Sequence, residues 1–287
     1  MKGIILGGGN GSRLYPSTLV TNKLLIPLYD KPLVYYPLAT LMEAGIDDVL
    51  IISNRRDLDR FEMLFGDGSQ LGMKISYGMQ EVPTGIVSAF LIGADFIGEE
   101  GCALILGDNL FHGPDMHHLL REAAKASEKG LATVFGYEVE DPERFGVAEV
   151  DLEGRVLSIE EKPKKPKSNL AVTGLYFYPK GVVEMAKKVE PSDRGEYEIT
   201  DLNNLYLEEG VLRCQNLGTS FWYDAGTFDS LLEGGEKIKE MQKGGEQVAA
   251  IEAIAYRNGW ISTDALKKVG QSMAKNSYGQ YLLSLVK

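Results

Sequence analysis

Short apolar segments alternate with amphipathic segments along the first third of the chain. The apolar segments have the length of buried strands, and the segments between them carry apolar residues at helical spacing. This alternation is typical of a doubly wound, mostly parallel sheet, so we predict an α/β, Rossmann-like fold. The predicted strands are residues 4–6, 47–52, 73–79 and 102–106, and the predicted helices are residues 34–44, 58–65 and 86–96.

The pattern changes in the second half of the chain. Several strands follow one another without full helices between them, with turn signals at Asp141-Pro142 and Glu153-Gly154, which predicts a β insertion and a mixed sheet. Helices then continue to the end. We expect an α/β domain over residues 1–243 and a C-terminal helical subdomain over residues 244–287. The predicted strands of this half lie within residues 132–139, 146–159 and 171–178, and the predicted helices are residues 182–188, 198–210, 228–242, 248–258, 263–270 and 279–286.

The first strand runs into a glycine-rich loop at residues 7–11. Glycines lack the Cβ atoms that keep backbone N–H groups apart, so such a loop can surround phosphate oxygens. Arg13 and Lys23 follow and place two cations beside the loop. The segments 80–85 and 107–109 also follow predicted strands, and in a parallel sheet these strand ends share one edge. The sequence therefore predicts a nucleoside triphosphate site at that edge.

Three other interpretations of the glycine loop are weaker. A dinucleotide-binding fingerprint needs a third glycine where Leu14 stands. A Walker A loop needs Gly-Lys-Ser or Gly-Lys-Thr, whereas residues 11–13 are Gly-Ser-Arg. A loop that only turns the chain does not need so many glycines, because each one loses much conformational entropy on folding.

The charge of the chain favours a small ligand over a polymer. With 41 acidic and 30 basic residues the net charge is −11, whereas nucleic-acid binders need a basic face. No apolar run approaches the ~20 residues of a membrane span, and no signal peptide is apparent. Cys102 and Cys214 lack a metal-binding spacing; a bridge between them is possible, but two buried free thiols are favoured. We expect a cytoplasmic protein.

Two aspartates end apolar segments. Asp108 follows a predicted strand, and Asp224 follows three aromatic residues. Mg²⁺ prefers hard oxygen ligands, often one or two carboxylates together with substrate phosphates. An aspartate at a strand end is also a common N-cap of the next helix, and the sequence does not show that two such distant positions meet. On the residues alone both interpretations stay open.

The opening stretch GGGNGSRLYP, followed by NKLLIP and KPLVYYPL, closely resembles the signature of the sugar-1-phosphate nucleotidylyltransferases. The resemblance extends to Leu106-Gly107-Asp108-Asn109, to Glu160-Glu161-Lys162-Pro163 and to Asp224-Ala225-Gly226-Thr227, where the family often has Asp-Thr-Gly-Thr. Residues 251–261 and 275–282 resemble the tail of the thymidylyl-transferring members. The resemblance implies a Mg²⁺-dependent enzyme that joins dTTP and glucose 1-phosphate, releases pyrophosphate and supplies precursors for rhamnose-type deoxysugars. It also implies a homotetramer or homodimer.

The resemblance assigns roles to individual residues. Arg13 and Lys23 are expected to be catalytic, and Asp108 and Asp224 to bind the metal. Because the attacking sugar phosphate is already anionic, no general base is needed, so the three histidines are weak catalytic candidates. The nucleotide, held by residues 1–130, is expected to contact Gly8, Gly9, Gly11, Ser12, Arg13, Gln80, Gly85, Gly107 and Asp108. The sugar phosphate, held mainly by residues 131–227, is expected to contact Asn109, Gly146, Glu161, Lys162, Val172 and Tyr176.

The base-recognition segment departs from the family pattern. Glu81 follows Gln80 where the family commonly has proline, and Ser88 stands where it has a glutamine. Thymine differs from uracil by one methyl group, worth only about 1–3 kcal/mol in an apolar pocket. A transferase that uses UTP, or another sugar 1-phosphate, is therefore the alternative. A catalytically silent nucleotide-sugar sensor is the alternative of a different class, but it would have to lack catalytic or metal-binding residues, and all of them are present.

The tail has its own implied role. In the family it helps to form the oligomer and a second, regulatory nucleotide-sugar site between subunits. Glu252 and Arg257 are candidates for such a site. An amphipathic helix packed on its own domain explains the same residues.

Overall fold

The computed structural model describes residues 1–245 and 247–286. Its elements alternate between strands and helices for most of the chain. The strands are β1 (Lys2–Gly7), β2 (Pro27–Leu28), β3 (Lys31–Pro32), β4 (Asp48–Ser53), β5 (Lys74–Met79), β6 (Cys102–Leu106), β7 (Asn109–His112), β8 (Ala132–Glu138), β9 (Gly146–Val150), β10 (Val156–Glu161), β11 (Leu170–Tyr178), β12 (Leu212–Asn216) and β13 (Phe221–Asp224). The α-helices are α1 (Tyr35–Glu43), α2 (Leu58–Phe65), α3 (Ser88–Ile92), α4 (Ala94–Ile97), α5 (Met116–Glu128), α6 (Val182–Ala186), α7 (Ile199–Glu208), α8 (Phe228–Met241), α9 (Ile251–Arg257), α10 (Thr263–Ser272) and α11 (Ser277–Ser284).

One mixed sheet organises the chain. Its main path runs β10-β9-β11-β6-β1-β4-β5, and β8 and β12 extend it from β11. The strands β6, β1, β4 and β5 are parallel, whereas β9, β10 and β11 join antiparallel neighbours. The predicted doubly wound sheet with a β insertion is therefore confirmed.

The order of the strands creates a crevice beside β1. From β1 the chain passes to β4 and β5 on one side, and then returns to β6 on the other side. In open α/β sheets, ligands bind at such a switch point, outside the carboxyl ends of the strands. Here β1 ends at Gly7 and β6 at Leu106, and the amide of the following residue, Gly107, donates to the Leu6 carbonyl at 3.0 Å.

Apolar side chains pack against both faces of the sheet. Ile5 belongs to a buried cluster with α1, α5 and α9, whereas its neighbour Ile4 belongs to a second cluster with α3, α6 and α7. Side chains of successive strand residues point to opposite faces, so one run of isoleucines serves both cores. Both cysteines are buried and free, as predicted.

The tail packs in two ways. Ile251 and Ile254 of α9 join the main core, whereas Ala253 joins Leu266 and Leu282 in a small cluster among the last three helices. No helix of the described residues combines the length and apolar character needed to cross a membrane.

The structure corrects the predicted helix over residues 86–96. Two short helices, α3 and α4, take its place and meet at Gly93. A Cβ atom at Gly93 would lie only 3.0 Å from Ile4 Cδ1 and 3.2 Å from Leu50 Cδ2. The chain therefore breaks where its backbone approaches the sheet most closely. The elements α5, β2, β3, β7, β12 and β13 were not predicted at all.

Candidate active site

Three loops meet at the edge formed by the carboxyl ends of β1, β5 and β6. Gly8 lies so close to Gln80 that a Cβ atom on it would be 1.8 Å from Gln80 Oε1. Gly7 and Gly107 both pack against Leu24, which leaves no room for a side chain on either. The predicted convergence of the glycine loop with segments 80–85 and 107–109 is thus present in the structure.

The glycine loop is open on its outer side. No heavy atom lies within 4 Å of a Cβ position on Gly9. Gly11 has a φ of 60°, a left-handed conformation that favours glycine, and it precedes a 3₁₀ turn at Ser12–Leu14. Ser12 and Arg13 are exposed. The loop can therefore receive a ligand without rearrangement of a covering side chain.

Lys23 and Asp108 form an ion pair across the crevice. Burial acts to raise the pKa of Asp108, but the Lys23 ammonium outweighs it and holds the pKa below its usual value. Asn22 fixes the neighbouring backbone, since its Nδ2 donates to the Gly7 carbonyl at 3.0 Å and its Oδ1 accepts from the Leu24 amide at 2.9 Å. Lys23 is thereby positioned at the end of β1.

The hairpin of β7 and β13 brings Asp224 beside Asp108. Asp224 is opposite Asn109 in the antiparallel register, and the Ala225 amide donates to the Asp108 carbonyl at 2.9 Å. Burial, reinforced by the negative charge of Asp108, raises the pKa of Asp224 to about 6. Asp224 Oδ1 is buried and accepts no hydrogen bond from any described residue.

These two carboxylates fit a divalent cation. An unsatisfied buried carboxylate oxygen beside a second carboxylate is an arrangement that a cation stabilises, and Mg²⁺ is commonly bound by one or two carboxylates. No cluster of three or more His, Cys, Asp or Glu side chains suitable for a metal occurs in the described part of the chain. Any metal at this place would need further oxygen ligands from the substrate or from water.

Asn109 has a supporting position between the strands. Its Oδ1 accepts from the Gly174 amide at 3.0 Å and from Trp222 Nε1 at 2.7 Å, and its Nδ2 donates to Asp108 Oδ1 at 3.2 Å. Asn109 is almost fully buried. It therefore orients Asp108, although it also lines the cavity described below.

Gln80, Ser88 and Gly85 form a buried hydrogen-bonded unit beside the glycine loop. Ser88 Oγ donates to the Gly85 carbonyl at 2.6 Å, so it accepts at 2.9 Å from Gln80 Nε2. The amide oxygen of Gln80 therefore faces Gly8. Gly85 has a φ of 108° and packs against the backbone of Tyr197, which excludes any side chain there.

A cavity of about 220 Å³ extends from Asp224 between β9, β10 and β11. Five of the residues predicted to contact the sugar phosphate line it together with Asn109: Gly146, Glu161, Lys162, Val172 and Tyr176. Thr200 Oγ1 donates to Glu161 Oε2 at 2.7 Å and fixes that carboxylate. Lys162 has a φ of 43°, an unusual backbone conformation for a residue with a side chain.

The sequence analysis missed several residues of this cavity, among them Arg144, Arg194 and Trp222. Arg194 pairs with Glu198 at 2.8 Å and lies 3.9 Å from Glu161. Arg144 also lines a second cavity, of about 350 Å³, with Arg13 and Asp224. Both arginines are in polar turns whose sequences resemble solvent-exposed connectors. Their place in the cavity therefore becomes apparent only in the folded structure.

The tail candidates are outside this site. Arg257 pairs with Glu43 and, with His117, lines a cavity of about 290 Å³ between α1, α5 and the tail. Glu252 is partly buried within the tail and accepts a hydrogen bond from Tyr278. His112 also lines the tail cavity, away from Asp108.

Comparisons with known proteins agree with this geometry. A family model described as nucleotidyl transferase matches residues 2–241. A glucose-1-phosphate thymidylyltransferase from Neisseria meningitidis is 52% identical over 289 residues, covering 100% of both chains. A solved structure from Bacillus anthracis, provisionally assigned as a glucose-1-phosphate thymidylyltransferase in complex with sucrose, is 42% identical with a TM-score of 0.75 and covers 83% of this chain and 94% of its own. A UDP-glucose pyrophosphorylase complexed with UDP-glucose has the same TM-score at 26% identity, covering 84% of this chain and 98% of its own.

Proposed function

Because the chain belongs to the nucleotidyl transferase family, we propose that it transfers a thymidylyl group from dTTP to α-D-glucose 1-phosphate. The products are dTDP-glucose and pyrophosphate. The observation that carries this proposal is the 52% identity to a glucose-1-phosphate thymidylyltransferase along the whole of both chains. The UDP-glucose enzyme has the same fold at half that identity. Predicted membership of the family is thus confirmed.

The residues of the crevice suit an in-line displacement. A phosphate oxygen of glucose 1-phosphate forms a new bond to the α-phosphorus of dTTP, while the bond from that phosphorus to the β-phosphate bridging oxygen breaks and pyrophosphate leaves. The nucleophile is already an anion, so no proton has to be removed. Catalysis then depends on positioning and on neutralising charge, which is the role we give to Arg13 and Lys23.

Each substrate has a separate part of the site. The glycine loop, Gln80 and Gly85 surround the nucleotide, with Gln80 reading the base. The 220 Å³ cavity takes the sugar, with Glu161 accepting from its hydroxyl groups and with Lys162 and Arg194 facing its phosphate. The two parts meet at Asp108 and Asp224.

We propose that Asp108 and Asp224 hold Mg²⁺. When bound, the ion neutralises part of the phosphate charge. The two carboxylates are otherwise an electrostatic cost, since Lys23 forms its ion pair with Asp108, whereas Asp224 Oδ1 is buried without a hydrogen-bond partner among the described residues. The phosphorylated substrates favour a cytoplasmic enzyme, and the tail favours a homotetramer or homodimer.

Pyrophosphate release from dTTP, UTP, CTP, ATP and GTP, each with glucose 1-phosphate, tests the proposed reaction. We expect release with dTTP that stops when the metal is chelated and returns when Mg²⁺ is added. Faster release with UTP than with dTTP would favour the uridylyl alternative. If no nucleotide gave release while dTTP still bound, the sensor alternative would replace the enzyme.

We also propose that the tail cavity beside Arg257 binds a nucleotide sugar and regulates the enzyme. Replacement of Arg257 by alanine should then relieve inhibition by the dTDP-sugar product and leave the uninhibited rate unchanged. Lys267→Ala removes the same charge from an exposed position on α10 and serves as the control. Equal inhibition of both variants would contradict the regulatory role.

A further inference from the structure

The segment that carries both proposed catalytic cations has little apolar anchoring beyond Leu14. Leu14 is fully buried, but the segment then forms a 3₁₀ turn at Ser17–Leu19, and the apolar side chains in and after that turn point outward. Leu19 is 56% exposed and Val20 is 71% exposed. Residues in this situation are held by polar contacts or are mobile.

Two arginines, one from the turn before α2 and one from its first turn, bind the carbonyl groups of this segment. Arg56 Nη1 donates to the Leu19 carbonyl at 3.0 Å, and its Nη2 donates to the Thr18 carbonyl at 3.4 Å. Arg60 Nη1 donates to the Val20 carbonyl at 2.6 Å. Three consecutive carbonyl groups are therefore held by guanidinium groups.

A fully buried carboxylate holds these arginines in place. Asp57 has no exposed surface, and Arg56 Nη2 donates to its Oδ2 at 2.9 Å, while Arg60 Nη1 lies 3.7 Å from its Oδ1. Asp57 occupies the N-cap position of α2, where an aspartate usually accepts a hydrogen bond from a backbone amide of the first turn. Its side chain makes no such bond here. The Asp57 carboxylate therefore binds the two arginines and does not cap the helix.

The contact continues to the glycine loop. Thr18, whose carbonyl accepts from Arg56, donates its own hydroxyl to the Gly11 carbonyl at 2.7 Å. A Cβ atom on Gly11 would lie 3.5 Å from Lys23 Cβ, so both ends of the segment are close together. A restraint at residues 18–20 therefore acts on the loop that presents Arg13 as well as on Lys23.

We propose that Asp57, Arg56 and Arg60 form a clamp that positions the segment carrying Arg13 and Lys23 for the nucleotide. The three are positioning residues, because their guanidinium and carboxylate groups face the segment and one another. Fixing cations before the substrate arrives removes an ordering cost from binding and from the transition state. This inference rests on the proposed function for its catalytic consequence, but the restraint itself is independent of the reaction.

The test compares Arg56→Ala with Arg55→Ala. Arg55 is the exposed neighbour, and among the described residues it has no hydrogen bond or ion pair, so its replacement removes the same charge without touching the clamp. In Arg56→Ala we expect KM for dTTP to rise about tenfold and kcat to fall about tenfold, with KM for glucose 1-phosphate unchanged. Arg55→Ala should behave as the wild type. Guanidinium ions at low concentration should restore part of the loss in Arg56→Ala, whereas sodium ions should not.

Hydrogen exchange at the amides of Tyr15 and of residues 17–21 provides a readout without turnover. The exchange should be faster in Arg56→Ala than in Arg55→Ala, with the core strands unchanged. If the two variants have the same exchange and the same KM for dTTP, the clamp is refuted. If the wild type shows no turnover but exchange in the segment still depends on Arg56, the proposed function fails and the clamp stands.

Discussion

Asp224 stands one residue out of register with Asp108 across the antiparallel pair of β13 and β7, so the two carboxylates share one end of the crevice. They differ in their surroundings. Lys23 pairs with Asp108, whereas one oxygen of Asp224 is buried without a partner among the described residues. The same hairpin thus creates one stabilised and one destabilised carboxylate.

The charge on Asp224 should destabilise the metal-free protein. Its pKa is raised from 3.8 to about 6, so the folded state binds a proton more tightly than the unfolded state between these values. Stability should therefore fall as the pH rises through this window. Asp224→Asn should raise the unfolding free energy of the metal-free protein at pH 8 by about 1–2 kcal/mol, and the gain should disappear near pH 4.

Thermal unfolding with and without Mg²⁺ measures both consequences. Mg²⁺ should stabilise the wild type at pH 8 and much less below pH ~6, where a proton competes for Asp224. Asp224→Asn should lose the stabilisation by Mg²⁺ at every pH. A variant that is less stable than the wild type at pH 8 without metal would show that Asp224 is satisfied in the folded state.

Gly8 should be needed for the position of Gln80. A Cβ atom on Gly8 would lie 1.8 Å from Oε1 and 2.8 Å from Cδ of Gln80, so Gly8→Ala should displace that amide from its place beside Ser88. We expect KM for dTTP to rise at least about tenfold, corresponding to about 1.4 kcal/mol. Steady-state kinetics with dTTP varied and glucose 1-phosphate saturating measure this.

Gly9→Ala is the matched control, because nothing lies within 4 Å of its Cβ position. It should fold with the stability of the wild type. Any rise of its KM for dTTP would come from the phosphates and not from Gln80. If Gly8→Ala and the wild type had equal kinetics, the proposed contact between Gln80 and the nucleotide would be contradicted.

The sequence predicts the parallel half of the fold well, because its signals are local. The run Ile4-Ile5-Leu6 followed by glycines is enough to place a buried strand and its loop, and Gly107 and Asp108 mark a second strand end in the same way. The prediction of one helix over residues 86–96 was wrong because Ile4 and Leu50 of neighbouring strands impose a break at Gly93. No local pattern contains that contact.

The candidate site divides along the same line. Proximity of Asp108 and Asp224 depends on the pairing of β7 with β13, and neither strand was predicted. The role of Arg194 was equally hidden from the sequence, because this residue reaches the sugar cavity only when the turn before α7 folds back over β10. The family resemblance predicted the roles of Asp108 and Asp224 but not that of Arg194.

Lys162 and Arg194 should act on glucose 1-phosphate only. Both line the sugar cavity, and two cations facing one phosphate strengthen its binding in a partly enclosed site. In Lys162→Ala and in Arg194→Ala we expect KM for glucose 1-phosphate to rise about 10- to 100-fold, with KM for dTTP unchanged. The exposed neighbours Lys164 and Lys165 supply control variants of equal charge. A similar rise in the controls would indicate a general effect of charge.

Ser88 should fix which base the site accepts. Its single hydroxyl proton goes to the Gly85 carbonyl, so it accepts from Gln80 Nε2 and turns Gln80 Oε1 toward the base. An oxygen acceptor suits the N3–H group of thymine or uracil, whereas N3 of cytosine is itself an acceptor. In Ser88→Ala the amide is free to turn, so the preference for dTTP over CTP should fall about tenfold while the ratio of dTTP to UTP is unchanged. Competition assays with the paired nucleotides measure both ratios.

Thr84→Ala is the control. It removes a neighbouring hydroxyl that makes no side-chain hydrogen bond among the described residues, so it should retain both preferences. If Ser88→Ala rejects CTP as strongly as the wild type, the orientation of Gln80 does not depend on Ser88.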